Sequence, residues 1–275
     1  MKLIDSSFEI INQAPGQAGI FKQIELAGRT CYKSENKITA DSANDFVAML
    51  INNGHFAMLE HGTVYLYDAV GLINVSYLDK YQFNKYSSYT VLQNEETREI
   101  FVTTNYRVII ENGWEDDLRY FVDTPMAKHE KRYSVRFICD RAIANEIVRH
   151  RGFSFAQEST RFCNYSKDKF GSELTFIKPS EYDNWDGLNQ MTFEDSCVFA
   201  ESAYMRLVKK GLTPQNARAV LPLALKTEIV VTGTESQWQD MLKLRVAPNA
   251  HPDIRALMTP LLKEFNGLGI YMESE

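Results

Sequence analysis

The chain has 275 residues, 44% hydrophobic and 24% charged, with a net charge of −6. That length can bury a substantial core as one large domain or two ordinary ones, and no apolar run approaches the roughly 18 residues of a membrane span. The acidic balance argues against a general nucleic-acid surface, whose footprint is a basic face or stripe. Four cysteines, Cys31, Cys139, Cys163 and Cys197, are too scattered for a zinc or CxxC pattern and too few for a disulfide framework. They are expected to be reduced. The start, "MKLIDSSFEI", carries no apolar signal core, which predicts a cytoplasmic location. No repeat, low-complexity tract or Pro/Gly/Ser linker divides the chain, so one continuous domain over 1–275 is expected.

In chain order, the first periodic segment is "SANDFVAMLINNG". Phe46, Val47, Leu50 and Ile51 share a helical face and Gly54 is the stop. "HFAMLEHG" follows as a loop holding His55, Glu60 and His61, and it leads into the alternating strand "TVYLYD". Neither HExxH spacing nor a nearby third histidine supports a metal there, and capping and packing are the expected uses. From about 69 to 139 the pattern is strands and turns: "EIFVTTNYRVIIENG" alternates before a turn, "ENGWEDD" reads as a solvated connection, and "KRYSVRFICD" alternates again. "DRAIANEIV" predicts a helix capped by Asp140, with Ile143, Ile147 and Val148 on one side. Thr213 before Pro214, the spacing of Ser236 and Gln239, and Pro252 in "HPDI" mark three later helix starts. "TEIVVTG" reads as a buried strand and "WQDMLKLR" as a helix. The fold class expected is α+β, a mixed sheet with flanking helices.

The densest chemistry lies in "RHRGFSFAQESTRF", residues 149–162, where cations, an amide, a carboxylate and hydroxyls alternate with aromatics. A guanidinium grips phosphate with a flat fork of donors, and each such charge-assisted bond contributes about 1.5–3 kcal/mol. Arg149, His150, Arg151 and Gly152 also read as an ordinary helix end, cations complementing the helix dipole before a glycine stop. That alternative leaves "SFAQESTRF" unexplained. There is no GxGxxG after a strand and no GxxxxGK[ST], so any nucleotide must be held largely by side-chain cations.

Arg149, His150 and Arg151, seven residues and then Ser159 resemble the signature of flavin-dependent thymidylate synthases. "GRTCY" at 28–32, "GHFAMLEH" at 54–61, "ARAVLPL" at 217–223 and "LKLRVAPNAHPDIR" at 242–255 resemble further segments of that family, in its order. The stretch from about 69 to 131 looks longer than in compact members, an extra β insertion. The resemblance implies methylation of dUMP to dTMP, with methylenetetrahydrofolate as carbon donor, FAD as hydride carrier and NADPH as reductant, in a homotetramer whose active sites are shared between subunits. From the charge, hydropathy and motif spacing above, no metal, no nucleic-acid partner and no membrane are expected.

Carried over residue by residue, the resemblance implies that Arg149, His150 and Arg151 contact FAD, with Arg149 also facing dUMP. His55, Ala57 and Glu60 would lie along the flavin, and Thr234, Ser236 and Asp240 stand at its adenine end, where many members have Asn, Arg and Asn. Gln157, which follows Ala156 where compact members have Asn then Glu, would serve cofactor and substrate. Glu146, Glu158, Ser159 and Arg161 would hold dUMP, with Arg218 reaching its phosphate from another subunit. Arg245 matches the arginine that activates the uracil ring, and with Ser159 it is the catalytic assignment; by helix rules alone Arg245 is a last-turn cation before Pro248. A nucleotide- and flavin-binding regulator of the same fold, impaired in turnover, is the second reading, motivated by the altered adenine-end residues. A nucleic-acid-binding module is the third, resting only on the basic and aromatic loop.

Overall fold

The computed structural model describes residues 1–167 and 170–270. In chain order they form β1 (Lys2–Ile4), β2 (Ser7–Ile11), α1 (Gly16–Tyr32), α2 (Ser42–Asn52), β3 (Thr63–Gly71), β4 (Ser88–Gln93), β5 (Thr97–Asn105) and α3 (Tyr106–Asn112). There follow β6 (Arg132–Asp140), α4 (Arg141–Ile147), β7 (Ser154–Gln157), β8 (Thr175–Ile177), α5 (Gly187–Lys209), α6 (Pro214–Ala217), β9 (Lys226–Thr234), α7 (Glu235–Arg245) and α8 (Pro252–Gly267). The class is α+β. No helix among the described residues is long and apolar enough to cross a membrane.

A four-stranded antiparallel sheet, ordered β2-β6-β9-β7, organises the site. β9 is "KTEIVVTGT", buried from Thr227 to Gly233, because both of its faces are covered. On one face Ile229 and Val231 join Phe137, Trp238, Met241 and Leu261 in a core closed by α4, α7 and α8. On the other face Val230 meets Ala156 and Ala27 of α1. The small side chains Ala27 and Ala156 let that helix lie close to the sheet. A second core forms where Ile20 and Ile24 of α1 and Phe46, Val47 and Leu50 of α2 pack on Val64, Leu66, Ile100 and Val102 of a three-stranded sheet, β3-β5-β4. A short parallel pair, β1 with β8, completes the sheets.

The strand at 63–68, the helix capped by Asp140, the strand at 227–233 and the helix starts at Pro214 and Pro252 form as expected. Four expectations change. The alternating run from Glu99 stops at Asn105, and "YRVIIEN" is helical. Asn105 Oδ1 accepts a hydrogen bond from Val108 N at 3.1 Å, a side-chain cap that starts a helix where the alternation alone continues a strand. "ENGWEDD" is not simply solvated: Trp114 packs edge-on against Tyr81 at 4.7 Å, and the buried Asp117 accepts from Tyr81 Oη at 3.0 Å and pairs with Lys80 at 2.7 Å. The capping box of α7 is Thr234 with Gln237, two residues before the Ser236 and Gln239 spacing. β9 stays paired with β6 as far as Thr234, so the helix begins there. The stretch from about 69 to 139, expected as strands and turns, also holds the helix α3, and its strands β4 and β5 join the expected strand at Thr63–Gly71 in one sheet.

Asn105→Ala removes the cap that ends β5 and starts α3. It is expected to lower stability by about 0.5–2 kcal/mol. The urea midpoint should fall with an unchanged slope, since no additional surface is exposed on unfolding.

Candidate active site

The loop at 149–153 is pinned by its two neighbours. Asp140 caps α4 by accepting from Ile143 N at 2.7 Å, and the chain leaves the helix through turns that end at Gly152, with φ +95°. A Cβ at Gly152 would stand 2.6 Å from Gln237 Nε2, so only glycine fits both the backbone angle and the approach. Phe153 then inserts edge-on against Trp238, ring centroids 5.0 Å apart. Gly233 makes room for it, because a Cβ there would come within 2.4 Å of the Phe153 ring.

Against this loop lies the C-terminal end of α7. Arg245 donates Nη1 to Glu146 Oε2 at 2.6 Å, Nη2 to the Glu146 carbonyl at 3.1 Å and Nε to His150 Nε2 at 2.8 Å. Three donors of one guanidinium are thus fixed by residues 95 and 99 positions away, more than a helix-terminal cation requires. Because His150 Nε2 accepts, the ring is neutral with its proton on Nδ1. Burial and the adjacent Arg245 push its pKa down, while Glu146 opposes them. Arg149 and Arg151 are exposed beside this trio and make no ion pair with any described residue.

The second half of the signature lies at the other end of β7. Ser159 N donates to Cys31 O at 3.0 Å, and Ser159 Oγ accepts from Arg161 N at 3.3 Å. Arg218 Nη1 donates to Thr160 Oγ1 of its own chain at 3.3 Å, so Ser159, Arg161 and Arg218 share one neighbourhood without a second subunit. Glu158 turns inward, 2% exposed, accepting from Tyr165 Oη at 2.8 Å and Lys226 Nζ at 2.9 Å. Its carboxylate anchors the loop. Gln157 donates to Thr227 Oγ1 at 3.3 Å. An extended strand rises about 3.3 Å per residue, so the four residues of β7 hold the two halves roughly 10 Å or more apart.

The residues assigned to the flavin divide between two cavities. Glu60, Thr234 and Ser236 line a cleft of about 610 Å³ that also touches Gly152 and Phe153. His55 lines a second hollow of about 460 Å³ with Arg29, Tyr32, Lys33 and Phe162. Ala57 and Asp240 are exposed and line neither. The first cleft contains residues the sequence did not single out. Lys85, Tyr86, Ser88 and Arg107 from the 69–131 segment line it, as do Glu130 and Arg132. Arg107 is neutralised by Glu60 at 2.6 Å and Glu111 at 2.8 Å. Arg132 is different: it donates to the Glu60 carbonyl at 3.1 Å and to the hydroxyls of Thr63 and Ser154 at 3.4 Å, and it has no ion pair among the described residues. Burial pushes its guanidinium down to about 10. A strand residue reaching across to another sheet leaves no spacing pattern, which is why these positions were not legible.

The thiols near the site are poor nucleophiles. Burial pushes Cys31 up to about 12, and Cys163 is fully buried in a separate apolar cluster. Among the described residues no cluster of His, Cys, Asp and Glu could hold a metal ion. His61 is fully buried, with Nδ1 2.8 Å from Thr232 Oγ1, and it joins the 55–62 segment to β9.

With this geometry in place, a family model described as "Thymidylate synthase complementing protein" matches residues 124–268. The chain is similar to a flavin-dependent thymidylate synthase of Geobacter sulfurreducens, 31% identical over 128 residues, which are 46% of this chain and 53% of that one. It is also similar to a flavin-dependent thymidylate synthase of Mycobacterium bovis, 24% identical over 258 residues, 88% of this chain and 73% of that one. The chain thus spans about half the length of the Geobacter relative. Among solved structures, a UMP/dUMP methylase PolB from Streptomyces cacaoi bound with 5-Br dUMP aligns with a TM-score of 0.45 at 15% identity, covering 98% of this chain and 93% of that one.

The buried His61 makes stability depend on pH. Burial first, then the neighbouring Arg132 charge, lowers its pKa from 6.5 to about 3. The folded value lies below the unfolded one, so the neutral ring's contribution is complete above about pH 6.5. It is lost progressively down to about pH 3, as the unfolded chain takes up a proton that the folded chain refuses. His61→Gln should flatten the fall in unfolding free energy between pH 6.5 and 4.5 relative to the parent, measured by denaturant titration at each pH. An identical pH slope in both proteins would show that the ring is not desolvated.

Proposed function

The chain belongs to the thymidylate synthase complementing protein family, and on that premise we propose that it converts dUMP to dTMP with methylenetetrahydrofolate as carbon donor, FAD as cofactor and NADPH as reductant. One observation carries the reading. The segment matched by the family, 124–268, contains both the 149–161 loop and Arg245, and these converge on a single preorganised guanidinium.

The 610 Å³ cleft lies within the roughly 300–1,000 Å³ of ligand pockets. Arg132, which has no ion pair among the described residues, the backbone opening at Gly152 and the aromatic Phe153 suit a cofactor that combines phosphates with flat rings. FAD bound there supplies the hydride that completes the methyl group. Glu60, Thr234, Ser236 and the turn of Arg149, His150 and Arg151 are the residues proposed to hold it.

For the substrate, Ser159, Arg161 and Arg218 offer a hydroxyl and two guanidinium groups, a donor set for a phosphate monoester. Uracil accepts a carbon at C5 only when electron density is pushed into the ring. A guanidinium held beside its N3 and O2 edge favours the ionised, electron-rich form, and preorganised donors of this kind act on charge as it develops. Glu146 and His150 fix Arg245 before substrate arrives, so little reorganisation is needed during the reaction. His150 must stay neutral to accept from Arg245; protonation would remove its lone pair and repel the guanidinium.

The separation of the two halves across β7 favours shared sites in a homotetramer, with the Arg245 half of one chain facing the Ser159 half of another. An apolar stripe on α5, with Leu188 68%, Met191 53%, Val198 46% and Phe199 73% exposed, supplies a surface that another copy of the chain would cover.

Formation of dTMP from dUMP, methylenetetrahydrofolate, NADPH and FAD by the purified protein tests the reading; absence of product with flavin bound would overturn it. Arg245→Ala is expected to lower dTMP formation roughly 100-fold or more, by analogy with loss of one transition-state donor, while NADPH oxidation by the bound flavin persists. Equal loss of both half-reactions would assign Arg245 to the flavin site instead. The shared site has its own test. Inactive Arg245→Ala and Ser159→Ala subunits, mixed under exchange conditions, should recover activity, whereas Arg218→Ala with Ser159→Ala should not, because those two residues come from one chain.

A further inference from the structure

The 610 Å³ cleft has one wall that the family resemblance does not explain. Residues 85–88 precede and enter β4 in the expected insertion, and they line the same cleft as Thr234, Ser236 and Gln237 at the start of α7. Ser88 and Ser236 both hydrogen-bond the same carboxylate, Glu130. The insertion is therefore tied to the place where Ser236 stands instead of the arginine found in many family members.

Three features of this wall point to a ligand. Arg132 is a partly buried guanidinium with no ion pair among the described residues; the nearby Glu60 and Glu130 carboxylates attract it without pairing with it, and burial still outweighs that attraction, so an anion in the cleft would offset its desolvation. Lys85 is exposed at the cleft and makes no ion pair with a described residue, its Nζ lying 4.8 Å from the Tyr86 ring centroid. Tyr86 is 60% exposed, a flat apolar face with no ring partner among the described residues. The carboxylates present do not cancel this arrangement. Glu60 and Glu111 are taken up by Arg107. Glu130, held by two serine hydroxyls, is an acceptor suited to sugar hydroxyls, the use that acidic residues serve in dinucleotide folds.

We propose that the insertion completes the cofactor cleft as a nucleoside-diphosphate subsite, in which Arg132 and Lys85 hold the diphosphate, Tyr86 stacks on the base and Glu130 receives the ribose hydroxyls. The inference rests on the flavoenzyme reading and extends it: the charge missing at Ser236 is supplied by Lys85 of the 69–131 segment together with Arg132 of β6, which pairs with Thr234. Two dinucleotides of that reading carry this chemistry, FAD and NADPH, and the test separates them.

The test uses the full-length protein freed of flavin, titrated with FAD, riboflavin, ADP and NADPH by fluorescence and calorimetry. Lys85→Ala and Tyr86→Ala change exposed side chains and are the primary variants; Arg132→Lys is secondary, since its hydrogen bonds also join two sheets. Each primary variant is expected to weaken FAD and ADP by about tenfold, the size of one lost charge-assisted or stacking contact, and to leave riboflavin unchanged. Weakening of ADP and NADPH with FAD unchanged would support the subsite and assign it to the reductant. Unchanged affinities for all four ligands, or parallel weakening of riboflavin, would overturn the inference. If the parent protein binds FAD and forms dTMP while the variants bind as it does, only this inference fails. If the parent binds no flavin, the flavoenzyme reading fails with it.

Discussion

The pairing of β9 with β6 is the constraint on which the other features depend. Nine consecutive residue pairs run from Arg132 opposite Thr234 to Asp140 opposite Lys226, and each end of that ladder supports one half of the site. At one end Thr232, Gly233 and Thr234 seat His61, Phe153 and the cap of α7. At the other, Lys226 and Glu228 anchor the segment that carries Ser159. A strand buried on both faces cannot slip by one residue without turning Ile229 and Val231 out of one core and Val230 out of the other. Positioning of the functional side chains is thus inherited from ordinary hydrophobic register.

Beneath Ser159 the register is reinforced by charge. Lys226 pairs with Glu158 at 2.9 Å and Glu228 at 2.7 Å, and Lys33 pairs with Glu228 at 2.9 Å and Glu35 at 2.8 Å. The two lysines hold Glu228 below the usual carboxylate range in spite of its burial. Such a network contributes little net stability once desolvation is counted. What it does is fix the segment that carries Ser159, so that Arg161 and Arg218, the donors proposed for a phosphate, stay exposed on a rigid base.

Much of this was legible in the sequence, and the remainder was hidden for identifiable reasons. β9 could be read because its apolar residues are continuous, and the start of α8 because Pro252 stands at its first position. α5 was not read, because its inward stripe of Phe193, Cys197, Tyr204 and Val208 is accompanied by outward apolar residues, Leu188, Met191, Val198 and Phe199, that blur the periodicity. α1 was missed for a related reason: Gly19, Ala27 and Gly28 pack closely without adding hydrophobic signal. At the start of α7 the string "TESQWQ" holds two overlapping capping boxes, and tertiary pairing of Thr234 selects the first. In the site, the convergence of Glu146, His150 and Arg245 follows from positions the resemblance had marked. Arg132 and Lys85 had no such mark, because the return of the insertion onto the cleft depends on sheet packing that spacing does not encode.

β7 acts as a ruler. The seven residues between Arg151 and Ser159 correspond to a fixed distance, since Ser154–Gln157 is an extended strand paired with Thr232–Ile229 at both of its ends. Substitutions along it alter local fit, but a change in its length is a different kind of event. One added residue would exchange the two faces of the strand, placing Ala156's neighbour in α1's path, and two would restore the faces while moving the halves apart by about 6.6 Å. Insertions and deletions should therefore be far less tolerable in this segment than replacements, and the length of the motif is constrained by geometry even at positions where side-chain identity is free.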